Sequence, residues 1–275
     1  MKIRFGYSPC PNDTFMFWGW VHGKLESSLA VTPVLHDIQE LNRLAIERQE
    51  LEFTKVSMAT FLHPSVRESY RLICSGAALG RGCGPLVVSK SSWDRTRPLR
   101  LAIPGRDTTA CRLAEMALGS QVSDWVELRY DEIMPAVLDG SRVDAGVIIH
   151  ESRFVYHRLG LKCAFDLGEW WETETGLPLP LGLMVARNNV DLKVVTRAEQ
   201  CLKQSVLLSQ EIFQSGAEHP QSASLWNYLR DHAIELEDET MASHIDLYVN
   251  DFSVDLGAEG RAAVEEFERR VLEFR

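Results

Sequence analysis

Leu99-Arg100-Leu101-Ala102-Ile103-Pro104-Gly105-Arg106-Asp107-Thr108-Thr109-Ala110 is the stretch on which the fold turns. Leu99 to Ile103 reads as a strand, Pro104 to Asp107 as a turn, and Thr108 opens a helix that runs to Leu118. A strand–helix series has already run upstream, so this unit starts a second one. In the first, Ile3–Tyr7 is a short strand, Asp13–His22 a helix ending at Gly23, and Leu29–Leu35 a strand. Ile38–Glu47 is a helix, Leu51–Val56 a strand, and a further helix starts at Met58; Tyr70–Cys74 and Pro85–Ser89 complete the set. In the second set, Val126–Tyr130 is a strand and Asp131–Leu138 a helix closed at Gly140. Val143–Ile149 is a continuously apolar strand of the buried kind. Cys163–Leu167 is another strand, and Leu181–Ala186 leads out of the block. Only helices follow, over Thr196–Gln214, Ser222–His232, Asp238–Val249 and Ala258–Phe274.

Strands alternating with helices predict a mostly parallel sheet covered on both faces. The expected fold is therefore α/β with two lobes: residues 1–91 plus 183–275 form the first and 92–182 the second. The polar Ser91–Pro98 stretch is one crossover, and the helical tail returns to the first lobe. An interlobe cleft faced by strand C-termini and helix N-termini follows, and ligands of open α/β sheets bind there.

Bulk properties narrow the function. At 275 residues, with 45% hydrophobic and 25% charged side chains, the chain is an ordinary globular one of one large or two medium domains. Its net charge of −10 argues against a nucleic-acid partner, which asks for a basic face. The first residues, Met1-Lys2-Ile3-Arg4-Phe5, hold no apolar signal core. No segment approaches the ~20 apolar residues of a membrane span, so neither membrane nor export is expected. Six cysteines without CxxC spacing suggest neither zinc nor a disulfide framework and fit the reducing cytoplasm. The glycine-rich Gly76–Pro85 run lacks both the P-loop lysine and GxGxxG spacing, so no nucleotide cofactor is expected, nor any metal.

Five places can carry chemistry. Ser8-Pro9-Cys10-Pro11-Asn12-Asp13-Thr14 joins a strand to a helix; Asn12 or Asp13 can cap it, and its free N–H groups attract an anion. A capped turn and nothing more is the plain alternative. At Pro104–Ala110, the hydroxyls of Thr108 and Thr109 and the helix N–H groups make a carboxylate seat, unless Asp107 or Thr108 merely caps. Thr54-Lys55-Val56-Ser57 ends a strand and offers a cleft cation and a hydroxyl, or an exposed lysine and a cap serine. His150 follows the apolar strand and is a candidate general base that Glu151 could orient. The other seven histidines, His244 among them, read as surface or helix positions. Trp170 and Trp171 read as loop residues that either stack on an aromatic ligand or pack the lobe interface.

Ser8–Phe15, Gly80–Val88, Pro104-Gly105 with Thr108-Thr109-Ala110, Ile148-Ile149-His150-Glu151-Ser152-Arg153-Phe154, Gly176–Gly182 and Tyr248–Ser253 together resemble the 1,4-dihydroxy-6-naphthoate synthase family of menaquinone biosynthesis. The resemblance runs over nearly the whole chain, and its first and fourth motifs are specific. It implies a type II periplasmic-binding-protein-like fold used in the cytoplasm by a carbon–carbon lyase of the futalosine route. That enzyme converts cyclic dehypoxanthine futalosine to 1,4-dihydroxy-6-naphthoate without a metal or organic cofactor. The resemblance implies His150 as general base, with Lys55, Val56, Ser57, Thr108 and Thr109, and also Ser8, Asn12 and Asp13, at the substrate. The partner is then a small molecule, an aromatic carboxylate with a sugar-derived ring. Chorismate dehydratase of the same route and a non-catalytic small-anion binding protein are the competing expectations. The first would not require the His150 motif, and the second would bring a signal peptide or lipobox.

Overall fold

The computed structural model describes residues 3–26, 29–93, 97–233 and 237–274. Within them the strands are β1 (Ile3–Tyr7), β2 (Val31–Leu35), β3 (Phe53–Ser57), β4 (Tyr70–Gly80), β5 (Leu86–Ser89), β6 (Leu99–Ile103), β7 (Val122–Glu127), β8 (Ala145–Ile148), β9 (Lys162–Asp166) and β10 (Leu179–Arg187). They form two five-stranded sheets, ordered β2-β1-β3-β10-β4 and β7-β6-β8-β5-β9. The longer helices are α1 (Pro11–Val21), α2 (Thr109–Leu118), α3 (Leu167–Thr175), α4 (Leu192–Ser215), α5 (Ser222–His232), α6 (Asp238–Tyr248) and α7 (Gly257–Glu273). No described helix is long and apolar enough to cross a membrane.

The sheets are mixed, which corrects the expectation of mostly parallel ones. β1 runs parallel to β2 and β3, and β6 parallel to β7 and β8. β10 is antiparallel to both its neighbours, and so is β5. These two are the strands by which the chain enters a sheet from the other one. A parallel neighbour requires a crossover over the sheet face, and a strand arriving directly from the other sheet has none. By sheet membership the chain passes over between Gly80 and Leu86 and returns between Asp166 and Leu179. The Ser91–Pro98 stretch joins β5 to β6 within the second sheet, and its residues 94–96 lie outside the described ones.

Helix α1 explains the first half. Phe15, Met16, Phe17, Trp18 and Trp20 are all buried, so the helix is apolar nearly all round and must be covered on every side. Sheet one covers one face and α4 another. Gly19 permits the close approach, since a Cβ there would meet Ser205 Oγ at 3.1 Å, and Ser205 Oγ accepts from Trp20 N at 3.1 Å. The α1, α4, α5 and α6 side chains make one apolar cluster with β1. A second cluster runs without a break from β3, β4 and β10 through β5, β6 and β8 to α2, α3 and α7. The sheets therefore share a core behind the cleft. Trp170 and Trp171 lie in helix α3, not in a loop. Trp171 is fully buried in that shared core, its Nε1 donates to the Pro178 carbonyl at 3.1 Å, and its ring meets Phe267 at 5.3 Å.

Candidate active site

A cavity of about 680 Å³, mouth included, lies between the sheets. Its first wall is the start of α1. Pro9 and Pro11 fix the backbone, and Pro11 takes the first helical position where a missing N–H costs nothing. Cys10 occupies the cap position without capping through its side chain, while its carbonyl accepts from Asp13 N at 3.1 Å and Thr14 N at 3.0 Å. Asn12 and Asp13 thus stand in the first turn rather than at the cap. Asp13 Oδ2 folds back to accept from Ser8 N at 3.1 Å and Ser8 Oγ at 2.8 Å. Asp13 Oδ1 accepts from Asn12 Nδ2 at 3.0 Å and pairs with Lys55 Nζ at 3.1 Å.

Lys55 is buried, donates to the Gly76 carbonyl at 2.6 Å and holds its ammonium 5.6 Å from the Phe17 ring centroid. Its charge is thereby matched inside the wall. Along β3 side chains alternate, so Lys55 and Ser57 line the cavity while Val56 packs into the shared core. Asn42 fixes Ser57 from both ends: its Nδ2 donates to Ser57 Oγ at 2.9 Å, and its Oδ1 accepts from Ser57 N at 2.9 Å.

The second wall is the start of α2. Thr108 caps it, accepting from Cys111 N at 3.2 Å and donating to the Gly105 carbonyl at 2.7 Å. Thr109 Oγ1 donates to the Leu181 carbonyl at 2.8 Å and accepts from Ala59 N at 3.3 Å, stitching the two halves together. Gly105 has φ of +140° and presses against Gln39, so only glycine suits the position. The first turn of α1 carries Asp13, whereas that of α2 carries no acid. The positive end of α2 therefore remains open to an anion, with Thr108, Thr109 and Ala110 on the cavity.

His150 follows β8 with φ of +55°, a left-handed conformation uncommon outside glycine. Arg153 anchors the turn after it, donating to the Gly84 carbonyl at 2.9 Å and to Asp166 Oδ2 at 2.9 Å. Cys10 Sγ, across the cleft, lies 3.3 Å from His150 Nδ1; the side chain at that nitrogen is therefore Cys10 rather than Glu151. Burial first, and then the Glu151 charge, push the Cys10 thiol well up, which keeps it protonated. Tyr130 meets the imidazole edge-on at 5.3 Å.

Of the residues singled out in the sequence, Ser8, Asn12, Asp13, Lys55, Ser57, Thr108, Thr109 and His150 line this one cavity, and Val56 does not. Two polar lining residues were not among the site residues expected from the sequence. His244 is 1% exposed and Tyr248 is 7% exposed, both on α6. Thr240, Met241, His244, Ile245 and Tyr248 are the buried residues of that helix, and their helical spacing is the signal that marks His244 as an inward position.

The family model described as menaquinone biosynthesis matches residues 3–273. A Thermus thermophilus protein named 1,4-dihydroxy-6-naphthoate synthase is 46% identical over 262 residues, covering 95% of this chain and 91% of its own length. The crystal structure of protein AF1704 from Archaeoglobus fulgidus superposes with a TM-score of 0.87 at 33% identity, covering 99% of this chain and 97% of that one. A Candida albicans protein described as having the generic periplasmic binding protein fold superposes with a TM-score of 0.68 at 10% identity over 100% of this chain and 94% of its own, a likeness of fold alone. The chain belongs to the menaquinone biosynthesis family.

Proposed function

We propose that this enzyme is a 1,4-dihydroxy-6-naphthoate synthase, a carbon–carbon lyase acting on cyclic dehypoxanthine futalosine with His150 as its general base. The observation that carries the reading is the left-handed His150, held by Arg153 and faced by Cys10, on a cavity built from both sheets. The name of the 46% identical relative supports the same reaction. The substrate carboxylate sits at the start of α2, where the backbone N–H groups of the first turn face the cavity and no acid competes. The hydroxyl protons of Thr108 and Thr109 are already given to the Gly105 and Leu181 carbonyls, so these side chains shape the seat rather than donate to it. The carboxylate avoids the start of α1, whose own Asp13 already holds that end.

The chemistry suits these parts. Removal of a proton beside an activated carbon lets the ring system open, and formation of the naphthol drives the step. One positioned base supplies ~10²–10⁴-fold. The second sheet's half carries the carboxylate seat and the base side by side, and the polar wall of the first half faces them, which converts binding into orientation. A thiol beside the base also calls for a reducing compartment, and a cytoplasmic location belongs to the reading.

The test is incubation of the purified protein with cyclic dehypoxanthine futalosine, followed by chromatography for the naphthoate, with His150→Ala alongside. Product from the wild type, and a rate lower by roughly 10²–10⁴ in a still-folded His150→Ala, is the expected result. Consumption of chorismate instead, or tight binding without turnover, overturns it.

A further inference from the structure

A chain of polar contacts runs from Lys55 to the far wall of the cavity, and each link fixes the next. Asp13, ion-paired with Lys55 at 3.1 Å, offers only acceptors. The Asn12 amide must therefore meet Asp13 Oδ1 with its Nδ2, at 3.0 Å, and turn its own oxygen to His244 Nε2, at 3.0 Å. An amide oxygen only accepts, so Nε2 carries the ring proton and Nδ1 is left as a bare lone pair. Nδ1 is sealed from solvent and has no partner among the described residues. The rings of Tyr248 at 4.8 Å and of Phe154 at 5.9 Å flank the imidazole. Burial first, and then the nearby His150, depress the proton affinity of the ring to a pKa of about 3, so it stays neutral. Such an acceptor repels a carboxylate and welcomes a donor, and native structures complete a buried polar atom with a partner.

We propose that His244 is a specificity-determining residue whose Nδ1 accepts a hydrogen bond from a hydroxyl of the bound substrate. The inference rests on the reading above and deepens it. The substrate lies with its carboxylate toward α2 and a hydroxyl toward α6, and a small shift of the His244 ring, which lines the cavity, brings Nδ1 to that hydroxyl.

Two measurements test it. In protein labelled with ¹⁵N-histidine, His244 shows Nε2 protonated and Nδ1 bare. Adding cyclic dehypoxanthine futalosine to the His150→Ala protein, which keeps the substrate unreacted, moves the Nδ1 resonance toward the protonated range and leaves Nε2 in place. In kinetics, His244→Phe raises KM by roughly 10- to 100-fold with kcat within a few-fold, and His244→Gln, which retains one donor and one acceptor, recovers most of the loss. A protonated Nδ1 in the free protein, an Nδ1 signal indifferent to substrate, or an unchanged KM in His244→Phe overturns the inference. The labelled protein requires no change at His244, so it decides even where His244→Phe fails to fold. A wild type that neither binds nor turns over the substrate sinks the functional reading and the named donor with it. A wild type that turns over with Nδ1 unmoved sinks this inference alone.

Discussion

His150 and His244 show how one residue type takes two roles on one cavity. His150 sits at the mouth of a strand in a left-handed conformation beside a thiol, whereas His244 is fully buried, pinned by Asn12 and held neutral. His150 was legible because it ends an apolar strand. His244 was not, because its hydrogen-bond partner Asn12 lies 232 residues away in the chain, a pairing that no local pattern encodes. Its depressed proton affinity has a consequence for stability. The unfolded histidine takes up a proton near pH 6.5 and the folded one only near pH 3, so below pH 6.5 the unfolded state binds more protons. Stability attributable to this site is whole above pH 6.5 and is lost as the pH falls toward 3, by an amount on the order of a few kcal/mol. Urea melts at pH 7 and pH 4.5 should show the wild type losing more stability than His244→Gln. Equal losses would mean that the ring is protonated in the fold.

The start of α2 carries two duties on one element. The Thr108 hydroxyl caps the helix, and the same turn is the carboxylate seat proposed for the substrate. Thr108→Val should cost about 1 kcal/mol of stability through the lost cap. It should also raise KM several-fold, because without the Thr108 bonds to the Gly105 carbonyl and Cys111 N the first-turn N–H groups are no longer held in place for the carboxylate, with Thr108→Ser restoring both. A variant that loses the stability alone would leave Thr108 as a cap and nothing more. Elements of this kind were readable from sequence because a glycine turn followed by threonines is local chemistry. Strand direction was not. Alternation of strands and helices predicts that strands exist, but whether β5 and β10 run with or against their neighbours depends on which sheet the chain has just left. The tryptophans of α3 were misread for a related reason: Trp171 is partnered by Phe267 from the last helix, and its neighbourhood in sequence is polar enough to pass for a loop.

At the scale of the whole molecule, the shared core decides how the two halves behave. We propose that the lobes divide where the chain changes sheets, between Gly80 and Leu86 and between Asp166 and Leu179, rather than at the 91/92 and 182/183 boundaries expected from sequence. Two lobes with separate cores would melt separately. Here one apolar cluster joins β3, β4 and β10 of the first sheet to β5, β6 and β8 of the second, and α7 closes it with Phe267 against Trp171. Calorimetry should therefore show one cooperative transition whose calorimetric and van't Hoff enthalpies agree. Phe267→Ala opens a cavity at the junction and should cost about 3–5 kcal/mol, moving the whole transition down without splitting it. Two resolved transitions in the wild type would mean that the halves are energetically independent. A split appearing only in Phe267→Ala would mean that this one contact, rather than the continuous cluster, couples them. The distinction bears on the proposed catalysis, because the proposed base and carboxylate seat on one half meet the polar wall of the other in a fixed arrangement only if a continuous core couples the two.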